Sequence, residues 1–152
     1  MFVQTVHCPA GYHRGEYGVC LQCEPGYSSN GTFSLAPTEC DPRQPGSIAS
    51  SSGSENCSLC SPGTYQVEGG KASCIDCPSG SYCVEAPVNS IPCNAGSYSG
   101  SSAPECTLCD QGFYQAQVAE STCIKCPSGR TTQNSGSTDL SDCISAVVKN
   151  KQ

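Results

Sequence analysis

The sequence predicts a small disulfide-rich fold, an elongated tandem array of short β-hairpin and turn modules with little or no helix and no single hydrophobic core. Three observations predict it. The 152 residues include only 5 Leu, 5 Ile, 9 Val and 3 Phe, with no Trp, too few for the burial that drives an ordinary core at this length. Cysteine contributes 15 residues, a density typical of short secreted scaffolds in which cross-links replace burial. The cysteines also recur at fixed spacings, the mark of a repeat architecture.

Five C-x-x-C pairs lie along the chain, at 20/23, 57/60, 74/77, 106/109 and 123/126, and thirteen residues separate the second pair from the third and the fourth from the fifth. The segment from Cys57 therefore matches the segment from Cys106 at an offset of 49, with Leu59/Leu108, Gly63/Gly112, Tyr65/Tyr114 and Gln66/Gln115 recurring beside the cysteines. A shorter unit repeats inside this one. "CPAGY" at 8, "CEPGY" at 23, "CSPGTY" at 60, "CPSGSY" at 77, "CNAGSY" at 93 and "CDQGFY" at 109 each place Gly three residues after Cys and Tyr one or two residues later, while "CPSGRT" at 126 ends in Thr. Glycine at that point suits a tight turn with positive φ. The tyrosine can lie over the neighbouring bridge, giving each unit a small apolar centre with a wet hydroxyl.

In chain order, residues 1–40 form one or more partial N-terminal units, and 41–56 a Pro/Ser-rich irregular segment, because "CDPRQPGSI" holds Cys and Gly six apart. Repeat copies follow at 57–105 and 106–143, with a tail at 144–152 that makes a brief helical or strand-like end. The stretches between units, such as "VEGGKAS" and "TTQNSGSTD", read as turns, and no stretch keeps a helical apolar period for three turns.

Two sets of four cysteines, 57/60/74/77 and 106/109/123/126, have spacings close to those of a structural zinc site. The cysteines at 8, 40, 83, 93 and 143 favour disulfides instead, since they fall at repeat positions that a zinc ribbon does not need. A thioredoxin-like dithiol is disfavoured because each pair runs into turn formers rather than a helix that would lower the first thiol's pKa. Two bridge registers survive. The interlocked one joins Cys57–Cys74, Cys60–Cys77, Cys83–Cys93, Cys106–Cys123, Cys109–Cys126, Cys8–Cys20 and Cys23–Cys40, leaving Cys143 odd. The sequential one closes each unit on itself, at 8/20, 23/40, 60/74, 77/83, 93/106, 109/123 and 126/143, leaving Cys57. The interlocked register is preferred because its orphan falls near a terminus, though connectivity does not follow from sequence alone.

The runs "CSLCSPGTYQVEGGKASCIDCPSGSYC" and "CTLCDQGFYQAQVAESTCIKCPSGRTTQNSGSTDLSDC" resemble the ephrin-receptor-like cysteine-rich repeat, a relative of epidermal-growth-factor-like and tumour-necrosis-factor-receptor-like modules. The resemblance covers 57–143 well and 8–40 partially. It implies an extracellular, disulfide-bonded, non-enzymatic module found in tandem in receptors, matrix proteins and protist surface proteins.

The net charge of −6 and the scattering of Arg14, Arg43, Lys71, Lys125 and Arg130 argue against nucleic acid or an anionic membrane as partner. The opening "MFVQTVHCPAG" lacks the basic flank and apolar run of a signal peptide, and no segment approaches the roughly 20 apolar residues of a membrane span. A piece of a longer precursor is expected, attached to a membrane only through parts not present here. His7 beside Cys8 and His13 beside Arg14 lack a third group to make a nucleophilic site. No catalytic residue and no cofactor is expected. Asn30-Gly-Thr and Asn56-Cys-Ser are sequons, the second weakened by the bridge cysteine inside it. The leading expectation is a spacer and protein-binding scaffold of a receptor, adhesion or matrix-type surface protein, its protein partner unidentified, with interchain pairing open to the odd cysteine. The alternatives are a zinc-binding or protist-coat protein, and a secreted inhibitor-like binder using 41–56.

Overall fold

The computed structural model describes residues 7–31, 41–85 and 87–146. Among them the chain forms antiparallel two-stranded hairpins in tandem. β1 (Tyr12–Arg14) pairs with β2 (Cys20–Gln22), and β3 (Tyr27–Ser28) with β4 (Asp41–Pro42). β5 (Ser47–Ile48) pairs with β6 (Ser58–Leu59), and β7 (Thr64–Tyr65) and β8 (Ile75–Asp76) make a further two-stranded sheet. β9 (Ser81–Tyr82) then pairs with β10 (Ile91–Pro92), β11 (Ser97–Tyr98) with β12 (Thr107–Leu108), β13 (Phe113–Tyr114) with β14 (Ile124–Lys125), and β15 (Arg130–Thr131) with β16 (Ile144–Ser145). The described helical residues are two short 3₁₀ turns, Glu16–Gly18 and Leu140–Asp142.

Every hairpin opens the same way. Its opening residue stands at 8, 23, 43, 60, 77, 93, 109 or 126, and the glycine three residues later has φ between 76° and 91°. The N–H after that glycine donates to the carbonyl three residues back, as in Tyr12 to Pro9 at 3.1 Å and Phe113 to Asp110 at 3.0 Å. Positive φ at the third residue of such a turn is the requirement that glycine meets. Residues 41–56 obey this pattern and are not irregular: Ser47 N–H reaches Gln44 O at 3.2 Å, Gly46 has φ 78°, and β5 follows.

A lone two-stranded hairpin is marginal in water, so stacking must supply the rest. The described residues fall into two compact units, one within Met1–Ile75 and Glu85–Asn89, the other within Asp76–Val84 and Ser90–Gln152. In the first, the turn glycine donates to the following hairpin three residues past its own glycine, Gly11 to Ser29 O at 2.7 Å, Gly26 to Ala49 O at 2.7 Å and Gly46 to Gln66 O at 2.8 Å. The following hairpin's loop donates back to the opening residue's carbonyl, Gly53 to Cys23 at 2.8 Å and Gly70 to Arg43 at 2.8 Å. The second unit repeats both bonds, with Gly80 to Ser99 at 2.9 Å, Gly96 to Gln115 at 2.7 Å, Ala119 to Cys93 at 2.8 Å and Gly136 to Cys109 at 2.7 Å. Because these are backbone bonds, the side chains between them are free to vary.

Among the described residues the buried apolar side chains are Cys8, Cys23, Cys60, Cys77, Cys83, Cys93, Cys109, Cys126, Cys143, Ala49 and Pro87. Sulfur is therefore the core. The buried polar residues are those the stacking enfolds. Gln66 is 4% exposed and Gln115 3%, and each side-chain amide bridges its own hairpin loop, Gln66 Nε2 donating to Ser73 O at 2.9 Å and Gln115 Nε2 to Thr122 O at 2.8 Å. Each Oε1 accepts a backbone N–H two residues on, from Glu68 and Gln117. Pairing of both the nitrogen and the oxygen is what lets an amide sit inside at little cost, and it explains why glutamine recurs at this position. The tail expectation holds to the extent of β16; residues beyond 146 lie outside the described ones.

Candidate functional site

Each hairpin with a described bridge is bonded from its opening cysteine. The bonds are Cys8–Cys20, Cys60–Cys74, Cys77–Cys83, Cys93–Cys106, Cys109–Cys123 and Cys126–Cys143, with Cα separations of 5.5 to 6.0 Å. This is the sequential register. The interlocked pairs Cys57–Cys74, Cys60–Cys77, Cys83–Cys93, Cys106–Cys123 and Cys109–Cys126 are not formed, and the register of the strands gives the reason. Cys106 precedes β12 and Cys123 precedes β14, so the two occupy equivalent places in successive hairpins, one repeat apart. Within one hairpin the strand pairing instead carries the closing cysteine back to the opening one. Cys143 is bonded and is not the odd residue. Cys23 is also bridged, and the expected Cys23–Cys40 pair falls outside the described residues at Cys40.

Two hairpins depart from the rule, and each departure is legible once the turn glycines are aligned. Cys77 closes on Cys83 over a separation of 6, because the ordinary closing place, just before β10, is held by Ser90. In the β5–β6 hairpin the opening place, three residues before Gly46, is held by Arg43, and the closing place by Cys57. Among the described residues Cys57 is the free, exposed cysteine. Its orphan state is thus the consequence of an arginine standing where seven other hairpins have cysteine.

Arg43 keeps the backbone duties of an opening residue. Its N–H donates to Gly26 O at 3.1 Å and its carbonyl accepts from Gly70 at 2.8 Å. The side chain turns to the loop, where a terminal guanidinium nitrogen donates to Glu55 O at 3.1 Å, while buried Nε has no partner. Asp41, Arg43, Gln44, Ser47, Cys57 and Leu59 line a cleft of about 480 Å³. Alkylation of the unreduced protein should place about one label per chain, at Cys57, and labelling at Cys143 would contradict the register.

The remaining candidate residues are dispersed. In the zinc-like sets, Cys60 is spent on Cys74, Cys77 on Cys83, Cys109 on Cys123, Cys126 on Cys143 and Cys106 on Cys93. Among the described residues no group of three or more His, Cys, Asp or Glu is placed to hold a metal ion. His13 lies in β1 opposite Leu21, and His7 is exposed. The sequon residues Asn30 and Asn56 are both exposed, and Asn56 stands beside a cysteine that is not bridged. No described helix is long and apolar enough to cross a membrane.

Stacked hairpins with a sulfur core, five of the six described bridges closing one hairpin and the sixth, Cys77–Cys83, stapling the first arm of another, define a disulfide-stapled tandem repeat. Residues 46–90 and 96–143 match the family model described as tyrosine-protein kinase ephrin type A/B receptor-like. The chain belongs to this ephrin-receptor-like family, and the module is a receptor-type extracellular repeat. Both matched segments begin at a turn glycine, Gly46 or Gly96, and end at a closing place, Ser90 or Cys143, so each comprises three hairpins. A search among curated proteins finds no match.

Proposed function

We propose that the chain is a non-enzymatic spacer and protein-binding scaffold of a receptor, adhesion or matrix-type surface protein, folded in the secretory pathway. The observation that carries this reading is the sulfur core: a fold whose described buried apolar side chains are nine cysteines, Ala49 and Pro87 depends on an oxidising compartment for its stability. A second feature supports protein binding. The returning strands hold aliphatic side chains half out of the surface, Leu21, Leu59 and Ile75 in one compact unit and Ile91, Leu108, Ile124 and Ile144 in the other, between 41% and 59% exposed. They recur at the same place in successive returning strands, where a partner protein could cover them. Asn30 and Asn56 are the places for glycans, the free state of Cys57 removing the obstacle at the second.

The test is expression behind a secretion signal, compared with expression in the cytosol. The secreted product should be protease-resistant, carry the bridges above, and lose mass at Asn30 or Asn56 on enzymatic deglycosylation. A cytosolic product that is equally resistant, reduced and loaded with stoichiometric zinc would overturn the reading in favour of a metal-binding thiol protein.

A further inference from the structure

We infer that a cleft in the second compact unit, lined by Tyr98, Asp110, Phe113, Thr122 and Cys123, is a binding site for a basic side chain, lysine or arginine, presented by a protein partner. The cleft has a volume of about 230 Å³, room for one long side chain. It has two half-buried aromatic rings, Tyr98 from the end of β11 and Phe113 from the start of β13. An aromatic face attracts an ammonium or guanidinium through the ring quadrupole. The third element is a charge. Asp110, an exposed residue, lines the same cleft, and its carboxylate makes no hydrogen bond or ion pair among the described residues, where the ion pair is Lys71 with Glu68. Lys125, the cross-strand neighbour of Phe113, does not line the cleft.

The walls are fixed before any ligand arrives. The Cys109–Cys123 bridge flanks Asp110 and Thr122, Gln115 Nε2 holds the Thr122 carbonyl at 2.8 Å, and Gly96 N–H ties the β11 hairpin to Gln115 O at 2.7 Å. A rigid pocket spends little binding energy on ordering itself.

The first matched segment supplies an internal control. It has the same frame: bridge Cys60–Cys74, Gln66 Nε2 on Ser73 O at 2.9 Å, and Gly46 N–H on Gln66 O at 2.8 Å. Aligned on turn glycines and opening residues, the places of Tyr98, Asp110, Phe113 and Thr122 are taken there by Ile48, Ser61, Thr64 and Ser73. The scaffold needs neither ring nor carboxylate at these places. Of the two matched segments, the second alone holds both rings and the acid together, which is the composition of a cation site.

The inference rests on the protein-binding reading above and fails separately from it. Amide NMR titration of the secreted, oxidised chain with Nα-acetyl-lysine methylamide and Nα-acetyl-arginine methylamide should give saturable shifts centred on Tyr98, Asp110 and Phe113. The uncharged norleucine analogue should bind more weakly by a factor of about 3 to 10, the scale of one cation–π contact and one exposed ion pair. Asp110→Asn, which keeps the shape, should weaken the basic probes by a factor of about 1.5 to 5, the ion-pair part of the preference, and leave norleucine unchanged; Phe113→Thr, which installs the residue of the first segment, should remove a ring's part of it, and the two substitutions together should bring the basic probes close to norleucine. Equal binding of norleucine, or shifts spread over all exposed carboxylates, would overturn the site and leave the scaffold reading standing. Choline binding tighter than either basic probe would overturn the protein side chain as ligand and assign the cleft to a small quaternary ammonium.

Discussion

Gly80→Ala is expected to destabilise the protein by about 3 kcal/mol or more, the range reserved for backbone strain combined with overpacking. Two costs add at this position. Gly80 has φ +81°, where an L side chain is disfavoured by roughly 1–2 kcal/mol. A Cβ there would also lie 2.0 Å from the Ala119 carbonyl oxygen and 2.4 Å from its carbon, backbone atoms that cannot rotate away. Ala119 is itself held by its N–H bond to Cys93 O at 2.8 Å, so relief requires parting the stacked hairpins. Gly129→Ala is the matched control: φ is +76° and nothing lies within 4 Å of the added carbon, so only the conformational cost of roughly 1–2 kcal/mol should appear. Denaturant unfolding of the two variants, with hydrogen exchange at the Ala119 amide, separates the terms. Equal losses would mean that turn conformation matters and the stacking contact does not.

The contrast between these glycines shows what the sequence can and cannot convey. The Cys-x-x-Gly frame is legible because it is local: three residues fix a turn, and the turn dictates glycine. The scarcity of aliphatic residues points correctly to a fold held by sulfur, and the recurrence of Gln66 and Gln115 marks real internal positions. Bridge register is not legible from cysteine spacing, since both registers close loops of similar length; Cys57–Cys74 would span 17 residues, and the observed Cys126–Cys143 also spans 17. What distinguishes them is which cysteine lies at the same place in consecutive hairpins, and that depends on strand pairing. The signal that decides it is the glycine, not the cysteine. Aligning Gly46 with Gly63 and Gly112 puts Arg43 at an opening place and makes Cys57 the orphan. Reading cysteines alone turns the same stretch into an irregular segment. The cation cleft is less visible still, because Tyr98, Asp110 and Phe113 come from two hairpins and look like routine members of the repeat until the two copies are laid against each other.

Arg43→Cys should close the β5–β6 hairpin by bonding to Cys57. The separation between 43 and 57 is 14, equal to that of Cys60–Cys74 and Cys109–Cys123, and the flanking register is already in place, with Ile48 opposite Ser58 and Ser47 opposite Leu59. A loop of about 15 residues constrains the unfolded chain by roughly 3 kcal/mol when its bridge forms without strain. The substitution also removes the buried Nε that lacks a partner, and it preserves the backbone bonds of residue 43 to Gly26 and Gly70, which no side chain supplies. The variant should therefore bind no alkylating label before reduction, yield a linked 43/57 peptide in a non-reducing digest, and unfold at higher denaturant than the parent. Arg43→Ala isolates the covalent contribution, since it clears the guanidinium but leaves Cys57 free; its stability should stay near that of the parent and its thiol should still label. Two labelled thiols in Arg43→Cys would show that residue 43 does not occupy the opening place, and with that the account of Cys57 as a cysteine whose partner position holds arginine would fall.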